Sequence, residues 1–336
     1  MIKSSVLNAK KVSFIIAAYN EELYIEECIR SCLEQSYSNI EVCITDDGST
    51  DSTWKILKKT SLDSRVKIHR FNNNKGKVSA FNRSFEMATG SYIAIIGADD
   101  VNYLNRVELQ LEHIIENNCD LVWGGYEVVD ESLNYISNCI AGYSVKDITF
   151  ENILERSIVP GGVVFSSYKF MKKIFPIPSA LHSEDWWIGY KSILMGKVEY
   201  LNVPLIRYRQ HDFNSFSGMS YSNINELKSI YSSQLVFYNV VKNDLEVASI
   251  DLRTKKRILR KINTGVYYRS LFLERSKYKR LIFFLKNIKC LPALSIIPIF
   301  KLILLIVFGI NFFLKIRNFF GKNYSSIKNS KSGLRE

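Results

Sequence analysis

Two pairs of aspartates in the first hundred residues are the clearest candidates for chemistry in this sequence. Asp46 and Asp47 follow one short β-branched run, and Asp99 and Asp100 follow another. Carboxylates that close a hydrophobic strand lie at the carboxyl edge of a parallel sheet, where open α/β folds bind their ligands. Oxygen ligands at such an edge suit a hard divalent cation and the phosphates that it holds. The two pairs therefore predict a site for a nucleotide and its metal.

The elements that must position these acids alternate between strand and helix. Apolar, β-branched runs predict strands at 12–17, 40–45, 66–70 and 92–96, with helical patterns between them. This alternation implies right-handed crossovers and a parallel sheet. We expect Gly90 to close the helix at 78–88 as its C′ residue. Further along the chain the pattern becomes α+β, with a strand expected at 121–129 and another at 163–165.

The positive charge of the chain is concentrated near its carboxyl end. The formal net charge is +12, yet residues 251–336 hold 20 Lys and Arg against 3 Asp and Glu. A protein that reads a nucleic-acid duplex would carry its basic patch on the folded module, and no zinc-finger, homeodomain or basic-zipper spacing is present. We therefore expect no nucleic-acid partner. The six cysteines show no C-x-x-C spacing and are interpreted as small buried hydrophobes.

Three segments carry a resemblance to a known family. The chain lacks the glycine-rich motifs of Rossmann dehydrogenases and P-loop enzymes. It resembles the family 2 glycosyltransferases in the segments VSFIIAAYNEE (12–22), DDGSTD (46–51) and Asp99-Asp100, and the likeness extends over roughly the first 215 residues. The resemblance implies an α/β fold of the GT-A type, which is Rossmann-like, with a mostly parallel central sheet and flanking helices. It also implies transfer of a sugar with inversion at C1.

The resemblance implies nucleotide binding by seven residues, namely Ala18, Tyr19, Glu21, Asp47, Asp99, Lys75 and Lys77. The ring of Tyr19 suits stacking on uracil, and Asp47 would accept the uracil N3 proton. One of the two lysines would supply charge near the phosphates, because Phe81 stands where the family commonly has Arg. An ordinary turn at Asp47 and solvated lysines at the start of a helix are the alternatives.

The resemblance also implies a metal site. Asp100 would bind a Mg²⁺ or Mn²⁺ ion that bridges the diphosphate, as a hard cation held mostly by phosphate oxygens. His211 could join it or touch the diphosphate, and Arg209 could pair with a phosphate or a carboxylate. A structural histidine is the alternative. Family members often have Asp where this chain has Gly97, so the metal motif is reduced to its last two acids.

The catalytic base is expected in the segment His182–Trp187. It matches the acidic motif that carries the base in the resembled family, which implies Asp185 as the base and Glu184 as the alternative. An inverting transfer needs one carboxylate within hydrogen-bond reach of the acceptor hydroxyl. Trp186 could present an apolar wall to a sugar ring, whereas core packing is expected for Trp187.

The chain is predicted to divide into a catalytic domain, a helical extension and a basic, apolar tail, at residues 1–215, 216–290 and 291–336. In the tail, residues 291–314 contain one charged side chain, Lys301, and basic segments lie on both sides. This pattern favours attachment to an anionic membrane surface over burial in a protein core. Because residues 1–11 lack a signal-peptide pattern, we expect the catalytic part on the cytoplasmic face of a bacterial inner membrane.

The expected function is that of a metal-dependent hexosyltransferase. It would move a single sugar from a nucleotide-sugar donor, UDP-linked, to a hydroxyl of a lipid-linked saccharide in the assembly of O-antigen, capsule or exopolysaccharide. One alternative is a polyprenyl-phosphate glycosyltransferase. The other is a noncatalytic nucleotide-sugar-binding scaffold, which is supported by Gly97 and Phe81. A processive synthase is disfavoured because the Q-x-x-R-W signature is absent.

Overall fold

The computed structural model describes residues 10–139, 149–155, 157–211, 224–274, 276 and 279. The chain forms two compact units, Met1–Ser217 and Gly218–Glu336. All of the predicted site residues belong to the first unit. The predicted tail, 291–336, lies outside the described residues. None of the described helices combines the length and the apolar character that a membrane span requires.

The first unit contains nine strands and seven α-helices within its described residues. The strands are β1 Val12–Ala18, β2 Ile40–Asp46, β3 Val66–Arg70, β4 Tyr92–Ile95, β5 Val101–Asn102, β6 Leu121–Val129, β7 Tyr135–Cys139, β8 Phe165–Ser167 and β9 Val198–Arg209. The helices are α1 Ile25–Leu33, α2 Thr53–Thr60, α3 Lys77–Met87, α4 Arg106–Asn117, α5 Phe150–Glu155, α6 Tyr168–Met171 and α7 Glu184–Met195.

The strands form one sheet in the order β3-β2-β1-β4-β8-β6-β9-β5, and β7 pairs with β6. Strand β1 is parallel to β2 and β4, β2 is parallel to β3, and β6 is parallel to β9. Strand β8 runs antiparallel to β4 and β6, and β5 antiparallel to β9. Most of the paired residues lie in the parallel pairs. The predicted α/β architecture with a mostly parallel sheet is confirmed.

The register of the parallel strands brings the predicted site segments to one edge. Ala18 pairs with Asp46 at the ends of β1 and β2, and the 97–100 segment follows β4 on the other side of β1. Every residue of β2 is buried, and only Ala17 of β1 is partly exposed, as expected for parallel strands covered on both faces. The polar groups that follow these strands therefore emerge together at the carboxyl edge of the sheet.

Two local predictions need correction. Helix α3 ends at Met87 and Ala88 is already extended, so Gly90 is not its C′ residue. A Cβ atom on Gly90 would lie 2.6 Å from Oγ of Ser13, so glycine is required there by a close approach to β1. The strand predicted at 163–165 is displaced: a 3₁₀ turn occupies Gly161–Val163, and β8 begins at Phe165.

The second unit contains two described helices, α8 Ile224–Val247 and α9 Leu252–Leu273. The side chain of Asp251 caps α9 by accepting a hydrogen bond from the Thr254 amide at 2.9 Å. Gly265 of α9 faces the ring of Tyr238 of α8, since a Cβ on that glycine would lie 2.7 Å from the tyrosine hydroxyl oxygen. Close approach at this glycine lets the two helices pack side by side.

A buried carboxylate at the opposite end of β2 helps to fix the register of the strands. Glu41 is 1% exposed and lies 2.5 Å from Nζ of Lys11 and 2.9 Å from Nζ of Lys67. It also accepts hydrogen bonds from the Ser13 hydroxyl and the Thr89 amide, both at 2.6 Å. Burial alone would raise the pKa of Glu41, but these partners outweigh it and hold the pKa at about 2.

We predict that Glu41→Gln lowers the free energy of unfolding by about 2 kcal/mol at pH 7, because buried donors lose a charged partner. The folded-state pKa lies below the ordinary value of 4.5, so this stabilisation is present above pH 4.5 and is lost as the pH falls toward 2. Urea unfolding at several pH values measures the difference. The control is Glu26→Gln in an exposed ion pair with Lys59, and an equal wild-type-to-variant difference at every pH would contradict the prediction.

Candidate active site

A cavity of about 640 Å³ opens at the carboxyl edge of the sheet. Its lining comes from the loops after β1, β2 and β4, the start of α3, the 160–162 segment and the start of α7. Nine of the predicted site residues line it, namely Ala18, Tyr19, Glu21, Asp47, Lys77, Asp99, Asp100, Glu184 and Asp185. The structure therefore brings together residues that are far apart in the sequence.

Asp47 joins two loops on one side of this cavity. Its amide donates to the Ala18 carbonyl at 2.8 Å, and its Oδ1 accepts from the Lys75 amide at 2.7 Å. Burial raises the pKa of Asp47. The next residue, Gly48, has φ +76°, and a Cβ there would lie 2.8 Å from the Asn73 carbonyl carbon. Only glycine fits this turn, so the turn and the carboxylate are fixed together.

The neighbouring Asp46 has a structural task. It is fully buried, lies 3.0 Å from Nε of Arg70, and accepts a hydrogen bond from the Ser49 amide at 3.1 Å. Asn20, at φ 56°, ties the loop after β1 to the loop after β2 by accepting from the Thr50 amide at 2.9 Å. Tyr19 is thereby held in the cavity lining with 43% of its surface exposed. An exposed ring in a fixed loop can stack on a planar ligand.

Asp99 and Asp100 form the floor of the acidic part of the cavity. Asp100 is 3% exposed and its Oδ1 accepts from the Arg209 amide at 3.1 Å, while Oδ2 of Asp99 lies 3.2 Å from Nε2 of His211. Burial, followed by the charge of Asp99, raises the pKa of Asp100 well above its usual range. A Cβ on Gly97 would lie 2.7 Å from Asp100 Oδ2 and 2.8 Å from Asp99 Oδ1. The bare glycine therefore makes room for both carboxylates.

Arg209 lies behind this acidic floor and does not line the cavity. Its Nη2 atom lies 2.6 Å from the Glu27 carboxylate, and its Nε donates to the Asp99 carbonyl at 2.9 Å. It also donates to the Glu131 carbonyl and lies over the ring of Tyr24 at 4.6 Å. With these contacts, the guanidinium fixes the 99–100 segment against α1. His211 and Trp186 also lie outside the lining, and the indole of Trp186 donates to the Ile153 carbonyl.

The start of α7 supplies two further acids to the cavity lining, Glu184 and Asp185. Asp185 accepts hydrogen bonds at Oδ1 from the Trp186 amide at 2.7 Å and from the Ser183 hydroxyl. Glu184 is 3% exposed, and its Oε1 lies 3.1 Å from Nζ of Lys77. Burial raises the pKa of Glu184. Asp185 is thus oriented by its own helix start, whereas Glu184 is engaged by a cation.

The two lysines near the start of α3 take different positions. Lys77 lines the cavity, and its pKa is raised because the carboxylates of Glu184, Asp185 and Asp99 outweigh the effect of burial. The Nζ atom of Lys75 lies 4.4 Å from the centre of the Phe71 ring, and the side chain does not line the cavity. The structure therefore places the ammonium group of Lys77, and not that of Lys75, at the site.

Negative charge dominates the cavity. In the part of the chain that the structure describes, six carboxylate side chains and one ammonium group line it. Burial, then the charges of Asp99 and Asp51, raises the pKa of Glu21 to about 8. Such shifts arise where like charges share a poorly solvated space, and they are common at functional sites. An anionic ligand can enter this cavity only with a compensating cation or proton.

Several lining residues were not predicted from the sequence. Tyr126 of β6 and Tyr208 of β9 contribute rings whose centres are 5.4 Å apart. Burial, together with the charges of Asp100 and Asp99, raises the pKa of Tyr208 to about 12. If the sequence had shown that β6 pairs with β9, both tyrosines would have been candidate lining residues. The pairing places Tyr126 close to Tyr208, and Tyr208 lies next to the predicted site residue Arg209. Asn74, Ser183 and the glycines at 161 and 162 also line the cavity.

The acidic floor offers oxygen ligands of the kind that a divalent metal ion binds. Among the described residues, no group of three or more His, Cys, Asp and Glu side chains is arranged to hold a metal ion. Asp99 and Asp100 place carboxylate oxygens against Gly97, whose missing side chain leaves room for both. This set fits a hard cation that takes one or two carboxylates and completes its shell with phosphate oxygens and water.

Comparison with known proteins gives consistent matches. The model of glycosyl transferase family 2 matches residues 13–174. The Escherichia coli UDP-Glc:alpha-D-GlcNAc-diphosphoundecaprenol beta-1,3-glucosyltransferase WfgD is 30% identical over 222 residues, which are 65% of this chain and 82% of WfgD. Glycosyltransferase GlyG of Streptococcus pneumoniae serotype 4 is 28% identical over 214 residues, covering 59% of this chain and 70% of GlyG.

Solved structures share the fold. The crystal structure of S. aureus TarS 1-349 in complex with UDP-GlcNAc matches with a TM-score of 0.58 and 20% identity, over 77% of this chain and 73% of that one. The same protein in complex with UDP matches with a TM-score of 0.53 and 18% identity, over 82% and 87% of the two chains. These matches confirm the GT-A type of architecture.

We predict that the methyl group added in Gly97→Ala displaces the carboxylates of Asp99 and Asp100, so that UDP titrated in the presence of Mn²⁺ binds at least tenfold more weakly than it does to the wild type. Only the ends of side chains must move, so the melting temperature should change by no more than a few degrees. Titration calorimetry with UDP, with and without Mn²⁺, measures the effect. If the variant and the wild type bind UDP equally tightly in Mn²⁺, the absence of a side chain at Gly97 is not what lets the carboxylates of Asp99 and Asp100 take part in binding.

Proposed function

The chain belongs to glycosyl transferase family 2, and we propose that it transfers one sugar from a UDP-sugar to a hydroxyl of a lipid-linked saccharide, with inversion at C1. The arrangement of the cavity carries this proposal. Asp47 and Tyr19 lie on one side, Asp99 and Asp100 form the floor, and Asp185 lies at the start of α7. A nucleotide, its diphosphate and an acceptor hydroxyl need groups of these three kinds in one cavity.

The nucleotide is assigned to the side of the cavity that holds Asp47 and Tyr19. A carboxylate held by backbone amides can accept a hydrogen bond from N3–H of uracil, and the exposed ring can stack on the base. Ala18 and Glu21 line the same cavity. The name of WfgD, the relative at 30% identity, specifies a UDP-sugar donor, which supports the same nucleotide here.

The transfer step uses Asp185. Its carboxylate removes the proton from the acceptor hydroxyl as the acceptor oxygen forms a bond to C1, and the bond between C1 and the diphosphate oxygen breaks on the opposite face. A Mg²⁺ or Mn²⁺ ion held by Asp100, next to Asp99, would neutralise charge on the leaving diphosphate. The hydrogen bonds at Oδ1 of Asp185 keep the carboxylate oriented for proton transfer.

The acceptor is proposed to be lipid-linked. WfgD is named for a diphosphoundecaprenol acceptor, and residues 251–336 of this chain carry the excess of basic side chains. Such a segment would bind the anionic cytoplasmic face of a membrane, where a polyprenyl-linked saccharide is exposed. A role in surface-polysaccharide assembly accords with the putative teichuronic acid biosynthesis glycosyltransferase TuaG of Bacillus subtilis, which is 32% identical over 149 residues.

We predict that Asp185→Asn lowers kcat by about 10²- to 10⁴-fold, the range for loss of a general base, and leaves the affinity for UDP within threefold of the wild type. Initial rates with a UDP-sugar and a lipid-linked acceptor, and UDP titration, measure both quantities. Asp63→Asn, in a turn outside the cavity lining, is the matched control. Retention of wild-type transfer in the Asp185 variant would refute the assignment of the base.

We also predict that Mn²⁺ tightens UDP binding at least tenfold in the wild type and has no such effect in Asp100→Asn, because the variant loses a charged metal ligand. The readout is binding alone, by calorimetry in Mn²⁺ and in EDTA, so it does not depend on turnover. A response to Mn²⁺ that is equal in the two proteins would show that Asp100 is not a metal ligand.

A further inference from the structure

Lys77 occupies an unusual electrostatic position. It is the only cationic side chain in the cavity lining among the described residues, where it faces six carboxylates. It is the first residue of α3, so its backbone is fixed at the start of a helix. Its Nζ atom lies 3.1 Å from Oε1 of Glu184, and 39% of the side chain is exposed. A flexible ammonium group could pair with any of several carboxylates in this cavity. Its position therefore depends on which carboxylate binds it most strongly.

Glu184 is built to be that partner. Its side chain is 4% exposed, so its charge is poorly screened by water and interacts strongly with Lys77. The oxygen that meets Lys77 also lies against Gly161, where an added Cβ would stand 2.7 Å away. The glycine therefore leaves room for this oxygen in the position that contacts the ammonium group. Three separate segments converge on one ion pair.

The neighbouring Asp185 would compete for the same cation. It follows Glu184 in α7, lines the same cavity and acts electrostatically on Lys77. If Lys77 paired with Asp185, the carboxylate would lose access to an acceptor hydroxyl. The ammonium group, on which the charge of Asp99 also acts, would then be less available to a diphosphate bound at the acidic floor. A dedicated partner for Lys77 removes both problems.

We propose that Glu184 is a positioning residue that acts through Lys77: it holds the ammonium group away from Asp185 and directs it to the donor diphosphate. This role rests on the proposed function, since it presupposes a diphosphate and a base at these places. It assigns Glu184 to the charge balance of the donor site and leaves proton abstraction to Asp185 alone. Gly161 is part of this arrangement, because a side chain at that position would displace the Glu184 oxygen that contacts Lys77.

The test compares kcat and UDP affinity in Lys77→Met, Glu184→Gln and the double variant. Lys77→Met should weaken UDP binding about tenfold and lower kcat, because a charge opposite the phosphates is lost. Glu184→Gln should weaken UDP binding by less than Lys77→Met does, since the ammonium group stays in the cavity and one negative charge leaves it. Its kcat should nevertheless fall by about 10- to 100-fold, as expected for a misplaced group. The double variant should have the kcat of Lys77→Met alone.

A second route disturbs the ion pair without removing either charge. Gly161→Ala should displace the end of the Glu184 side chain, so the protein should fold and show the lowered kcat of Glu184→Gln. Because the added Cβ would also lie 3.3 Å from Cβ of Asp185, the same substitution is made in Lys77→Met, where no further loss of kcat is expected if only the ion pair matters. This variant keeps the proposal testable if Glu184→Gln fails to fold. The matched control is Glu86→Gln, in an exposed ion pair with Arg83 on the same helix as Lys77, which should behave as the wild type.

Two results would overturn the proposal. If the losses of kcat in the single variants multiply in the double variant, Glu184 does not act through Lys77. If Gly161→Ala retains the wild-type kcat, the ion pair with Glu184 does not position the Lys77 ammonium group for the transfer. The proposed function is judged separately in the same assays by Asp185→Asn. Loss of transfer in that variant, combined with either of the two results above, rejects only the role of Glu184.

Discussion

Crowding of negative charge at the carboxyl edge of the sheet is the constraint on which the site depends. Among the residues that the structure describes, six carboxylates and one ammonium group line a cavity of about 640 Å³. Two like charges 4 Å apart repel each other by about 4 kcal/mol at an effective dielectric constant of 20. The fold tolerates this because backbone amides donate hydrogen bonds to the carboxylates, Lys77 supplies a positive charge, and the pKa of Glu21, raised to about 8, favours its neutral form near pH 7. The same excess gives a cation-bound diphosphate a favourable place to bind.

The scaffold fixes these acids by contacts that lie behind the cavity. The guanidinium of Arg209 pairs with the Glu27 carboxylate and donates hydrogen bonds to the carbonyls of Asp99 and Glu131. Its backbone amide donates to the Asp100 carboxylate. The acidic floor is therefore fixed to α1 and to the segment after β6. At the other end of the strands, Glu41 secures the register that aligns the loops. Rigid support of this kind keeps charged groups oriented when a ligand replaces water.

Local sequence patterns were sufficient to predict the strands β1 to β4 and the acids that follow them. Alternation of apolar runs with helices implies a parallel sheet, and a parallel sheet implies one functional edge. Asp47, Asp99 and Asp100 could be placed for this reason. The assignment of Asp185 as the base depended on the resemblance to a family, because no local pattern connects α7 to the first three strands.

The directions of individual side chains could not be predicted from the sequence. Lys75 and Lys77 are equivalent in a linear reading, yet one lies over Phe71 and the other lines the cavity. Arg209 is adjacent to a predicted strand end, but its contacts with Glu27 and Glu131 join segments that are distant in the chain. Gly90 looks like a helix cap, whereas a close approach to Ser13 is what requires it. Each of these outcomes depends on tertiary packing that local propensity does not encode.

Turnover of donor sugars tests nucleotide-sugar chemistry in this cavity most directly. The measurement is a screen for hydrolysis and binding of UDP-, GDP- and dTDP-linked sugars by the full chain, with and without Mn²⁺. The predicted result is that a UDP-sugar is bound and slowly hydrolysed when Mn²⁺ is present, with little turnover in EDTA. If no donor is bound or turned over under either condition, the assignment of the cavity to a nucleotide-sugar is contradicted.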